Sequence, residues 1–115
     1  MASAGGRRDE APRAGERAVN LHEQLAHQHP DAFNPNLAMS LYNVAIEYAV
    51  AERHEDAERA IKRAVELYEL LARQYPEVFT GDLVDSLNVL AQILSSLGRD
   101  EEAQGAAKRA SDLRG

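Results

Sequence analysis

The sequence predicts an all-α protein of about five helices, built as a tandem helix–turn–helix repeat. Three observations carry this prediction. Alanine, leucine, glutamate and arginine dominate the 115 residues, and these are strong helix formers. A long block of sequence recurs at a fixed offset. Apolar residues follow helical spacing between short breaks marked by Pro, Gly and capping residues. Aromatics are only 5% and tryptophan is absent, so the predicted core is aliphatic, with close contacts made by alanine.

The repeat is read by sliding the chain against itself. Ala18-Val19-x-Leu21-x-Glu23-x-Leu25-Ala26 returns as Ala64-Val65-x-Leu67-x-Glu69-x-Leu71-Ala72, an offset of 64 − 18 = 46 residues. The register holds without a gap: Pro30 meets Pro76, Phe33 meets Phe79, Leu37 meets Leu83, and Ser40-Leu41 meets Ser86-Leu87. Further on, Arg53, Glu55, Ala57, Ala60, Lys62, Arg63 and Ala64 return as Arg99, Glu101, Ala103, Ala106, Lys108, Arg109 and Ala110.

Residues 1–13 are small and charged and are expected to form a disordered lead-in, without the apolar core of a signal peptide. The first helix is expected from Ala14 to Gln28, a half repeat over 14–30. Asn34-Pro35 reads as an N-cap with proline at the first helical position, which places a second helix from Asn36 to Glu52. The third runs from His54 to Gln74, with Glu55 and Asp56 favouring its positive end. Thr80-Gly81-Asp82 offers a cap for the fourth, Gly81 to Leu97, and Gly98 supplies the left-handed residue that stops it. The fifth runs from Asp100 to Leu113. The two full repeats are thus 34–76 and 80–113, within a repeat domain of 14–115. Short connections predict antiparallel neighbours. Glu52 stands where the other repeat has Gly98, so the first turn is expected to differ in shape or to be mildly strained.

Val44-Ala45-x-x-Tyr48 followed by Ala57-x-x-x-Ile61-x-x-Ala64 resembles the tetratricopeptide repeat, as does Leu90-Ala91-x-x-Leu94-x-x-x-Gly98 followed by Ala103-x-x-x-Ala107-x-x-Ala110. Small residues stand where two helices touch, which lets backbones approach and units stack. The period of 46 exceeds the usual ~34 residues of that family. It resembles the long-helix variant of large bacterial arrays and kinesin light chains. The resemblance covers about Ala18 to Leu113. It implies a right-handed solenoid of antiparallel helix pairs that acts as a scaffold and holds a peptide or helix of a partner protein on its concave face.

On that reading the first helix of each full repeat lines the binding face. The candidate partner-binding residues are Met39, Tyr42, Asn43 and Ile46 in one repeat and Asp85, Asn88 and Gln92 in the other. Tyr42 and Ile46 are candidate anchors, or else pack against the first helix. Asn88 and Gln92 could hydrogen-bond a ligand backbone. No Lys or Arg occurs between Pro35 and Glu52 or between Gly81 and Gly98, which argues against a carboxylate clamp. The alternative is structural: a fragment of a longer array, or a homo-oligomer joined through uncovered terminal helices. Val19, Leu21, Leu25 and Ala26 have only half a repeat to cover them.

Other functional classes find little support. A net charge of −6, with basic residues scattered, disfavours nucleic acid and anionic membrane as partners. No apolar run approaches the roughly 20 residues of a membrane span. Without cysteine there is no disulfide or thiolate metal site, and a cytoplasmic protein is expected. His22, His27 and His29 are not paired at the three- or four-residue spacing of helical zinc ligands, so no metal or other cofactor is expected. The acids lie at helix starts or pair at helical spacing, as Glu55 is expected to do with Arg59. No nucleophile elbow or phosphate loop occurs, and no catalytic residue is assigned.

Overall fold

The computed structural model describes residues 12–115. Among them are five α-helices and no strand: α1 (Arg13–Gln28), α2 (Pro30–Val50), α3 (His54–Gln74), α4 (Pro76–Ser96) and α5 (Asp100–Arg114). Of the expected lead-in, residues 1–11 lie outside the described residues. Pro12 is buried and Arg13 already belongs to α1.

Two helix starts differ from the sequence expectation. α2 opens at Pro30 rather than Asn36, and α4 at Pro76 rather than Gly81. A proline at the first helical position forfeits an N–H that had no partner there, and its ring bars the preceding residue from helical conformation. His29 (φ −137°, ψ 73°) and Tyr75 (φ −136°, ψ 71°) are those preceding residues. Each alone ends one helix and begins the next, donating its N–H back to Leu25 or Leu71 at 2.8 Å. Asn34-Pro35 is therefore no cap: Pro35 lies inside α2, as Thr80 and Gly81 lie inside α4.

The other connection turns on a left-handed residue. Gly98 has φ +76° and Glu52 has φ +64°. Around Gly98 the N–H of Arg99 reaches the carbonyl of Leu94 at 2.9 Å, and the N–H of Gly98 that of Ser95 at 3.0 Å. Around Glu52 the equivalent bonds run from Arg53 to Tyr48 (2.8 Å) and from Glu52 to Ala49 (3.0 Å). Both are Schellman turns. The expected difference in shape is absent, and the cost sits in the Cβ of Glu52, which a left-handed residue crowds against the backbone.

Each helix packs on the one before and the one after it. The start of α1 meets the end of α2 where the Tyr48 hydroxyl donates to Glu16. Consecutive helices are thus antiparallel and fall into two rows. α1, α3 and α5 form one row, tied by Arg63 to Glu23 at 2.8 Å and by Arg109 to Glu69. The second pair repeats the first one period on (23 + 46 = 69; 63 + 46 = 109). Arg99 adds a bridge to Glu58 of α3 at 2.7 Å. α2 and α4 touch each other in the second row. Arg59 pairs with Asp56 and not with the expected Glu55, because the three-residue spacing brings its guanidinium to that carboxylate.

The core lies between the rows. Ala45, Ala57 and Ala64 are wholly buried, as the small-residue pattern requires. In the second repeat Ala103 and Ala110 are buried, but Ala91 is only half-buried and Ala107 is exposed, since nothing packs beyond α5 among the described residues. α2 covers α1 more fully than expected: Val19 and Ala26 are buried, Leu25 is half-buried, and only Leu21 stands largely in solvent. Gly15 shows how close the two helices come. A Cβ there would collide with the carboxylate of Glu47 and sit 3.0 Å from Val44 Cγ2.

Candidate interaction site

Two of the surface hollows bear on the rows, a groove beside α1 and α3 and a smaller pocket between α2 and α4. The groove between α1 and α3, about 480 Å³, is lined by Glu16, Tyr48, Asp56, Arg59 and Arg63 among others. Its charged groups pair with partners inside the fold. Tyr48 donates to Glu16, Arg53 to Asp56 at 2.9 Å and Arg63 to Glu23, while the Arg53 guanidinium lies 4.7 Å from the centre of the Tyr48 ring. Such a surface offers a partner little that is unmet.

The groove of the second row is different. α2 and α4 carry no lysine or arginine over their whole lengths. Helical spacing sets Met39, Tyr42 and Asn43 on one face of α2, and Asp82 and Asp85 three residues apart on α4. They meet around a pocket of about 190 Å³, with Tyr68 of α3 completing the lining. Met39 is 57% exposed at the pocket, whereas Tyr68 is only 3% exposed and its ring packs 6.3 Å from that of Phe79.

Charge accumulates here. Among the described residues neither Asp82 nor Asp85 forms an ion pair. Burial, and then the neighbouring Asp85, push the Asp82 carboxyl above its ordinary range. Burial, followed by Asp82, Tyr42 and Asp85, pushes the Tyr68 phenol up to about 12. The Tyr42 phenol is raised by burial and then by Asp85 and Asp82. Each shift disfavours one more negative charge in the same place.

Comparison with protein-family models, with curated proteins and with solved structures returned no match.

Of the residues singled out from sequence, Met39, Tyr42, Asn43 and Asp85 come together at the pocket. Ile46, Asn88 and Gln92 are not among its lining residues. Ile46 is 37% exposed, Asn88 is half-buried, and Gln92 is exposed with its main-chain carbonyl accepting from Ser96 Oγ at 3.1 Å. Tyr42 packs toward Tyr68, Asp82 and Asp85 rather than standing free as an anchor. Two lining residues were missed. Asp82 reads as a capping acid if α4 is started at Gly81, but six residues inside the helix it becomes a wall. Tyr68 reads as one more apolar position of α3, although the repeat register sets it opposite His22 (22 + 46 = 68). His22 itself is engaged inside the fold, its Nδ1 2.5 Å from Ser40 Oγ. No helix of the described residues is long and apolar enough to cross a membrane.

Proposed function

We propose that this chain is a scaffold of the tetratricopeptide type, a right-handed solenoid that holds a peptide or helix of a partner protein along the α2/α4 groove, its concave side. The observation that carries this reading is the pocket where Met39, Tyr42 and Asn43 face Asp82 and Asp85, with no ion pair among the described residues. The tandem period and the stacking of helices in two rows support it, since stacked units present one continuous face. The role is binding without catalysis and needs no cofactor. The absence of cysteine suits the cytoplasm.

The test is capture of partners from the source lysate by the wild type and by a Met39→Glu, Asn43→Arg variant. Both substitutions fall at exposed positions, so circular dichroism should be unchanged. A protein retained by the first and lost with the second is the expected result. Equal capture by both would remove the groove from the reading.

Self-association is a second reading, favoured by one observation. Leu70, Tyr75 and Val78 are 55%, 59% and 62% exposed around the junction of α3 and α4, an apolar end without cover among the described residues. A strictly monomeric species by light scattering at high concentration would dispose of it.

A further inference from the structure

Resting on the scaffold reading, we propose that the α2/α4 pocket receives a lysine or arginine side chain projecting from the partner's bound segment. Two independent features point to this occupant. The first is charge: Asp82 and Asp85 share the pocket without a cation among the described residues, and no basic residue occurs on either flanking helix. The second is Tyr68, a residue 97% covered that lines the same pocket, and whose hydroxyl forms no hydrogen bond with any described residue and stays open to solvent there. An oxygen without an internal partner is free to accept from a donor that a ligand brings.

The repeat shows how this position came to be open. One period earlier His22 and Ser40 satisfy each other across α1 and α2. In the second unit Tyr68 replaces the histidine, and Ser86, wholly buried, is left with an unbonded Oγ. The internal bond is gone, and a phenol lines the pocket instead.

The remaining lining suits a long basic side chain. Met39 offers an apolar flank for its methylene stem. Tyr42 presents an aromatic ring and Asn43 a side-chain carbonyl, both favourable to a cationic head. The volume of about 190 Å³ takes one side chain, and falls short of the ~300–1,000 Å³ of pockets that enclose a whole small molecule. An acidic residue of the partner is excluded by the two carboxylates.

The experiment titrates the isotope-labelled full chain with the capped peptide Gly-Ser-Ala-Arg-Ala-Ser-Gly and with its citrulline analogue, which keeps the shape and loses the charge. Resonance shifts should cluster on residues 39–43, 68 and 82–86, with the citrulline peptide at least about tenfold weaker. Asp82→Asn with Asp85→Asn should weaken the arginine peptide by a similar factor. Tyr68→Phe, which removes only the hydroxyl, should weaken it several-fold. The proposal is overturned if both peptides bind alike, if the double variant binds as the wild type does, or if no shift appears at millimolar peptide. Lysate capture separates the two readings. A partner held equally by wild type and double variant overturns the pocket and spares the scaffold. Arginine-selective binding with no partner captured supports the pocket and overturns the scaffold.

Discussion

Gly98 and Glu52 do the same work with different side chains. Both close a Schellman turn at positive φ, where glycine has no Cβ to crowd the backbone. Gly98→Ala should therefore destabilise the chain by about 1–2 kcal/mol, read from chemical denaturation, although its Cβ would meet no neighbour within 4 Å. An unchanged midpoint would mean that the turn relaxes. The tyrosines make a second expectation. Tyr48, half-buried and donating to Glu16, is pushed up to about 12, as is Tyr68 by its burial and then by Asp82. An unfolded tyrosine ionises near ~10. Raised folded values mean that the stabilisation is whole below pH ~10 and fades as pH rises toward ~12, because the unfolded chain then loses protons first. Stability measured across that window should fall, and Tyr48→Phe should flatten the fall.

Helices α3 and α5 were legible almost to the residue, because each is preceded by a turn ending in arginine and opens with a run of acids. The starts of α2 and α4 were not. Pro30 and Asn34-Pro35 both read as helix openings, and local capping chemistry alone cannot rank them. Packing decides, since Phe33 and Phe79 lie against the core from inside the earlier start. The displaced boundary also hid one wall of the site, because it made Asp82 an early acid at the helix start. This yields a clean expectation. Pro35 sits at the sixth position of α2, where it denies Asp31 a hydrogen bond. Pro35→Ala should stabilise the chain by about 1 kcal/mol, the restored bond outweighing the added freedom of the unfolded state. Were Pro35 the first residue of the helix, the substitution would gain nothing.

At the scale of the molecule, Cα extents of 48 × 37 × 15 Å describe a slab, and the radius of gyration of 14.6 Å exceeds the ~13 Å of a compact domain of this length. The rows divide the chemistry. The odd-numbered helices and the turn before α5 carry the inter-repeat ion pairs, while the even-numbered ones keep their acids unmatched among the described residues. The period, the helical class and the alanine contacts could be read from sequence because duplication wrote them twice. The pocket could not, because it depends on residues that differ between the copies: Tyr68 against His22, Asp82 against Asn36, Asp85 against Met39. In the paired row, a double-mutant cycle on Glu23 and Arg63 should return a coupling of about 0.5 kcal/mol, reduced by salt, since both side chains are nearly half exposed.

The recurrence of that contact one period on makes the chain extensible. A duplicate of residues 53–98 spliced after Gly98 would present its arginine to Glu69, and its own glutamate would face Arg109, so both new seams already have their matching halves. Such a lengthened chain should fold as one cooperative unit and melt at a higher temperature than the parent, as added units do in a one-dimensional stack.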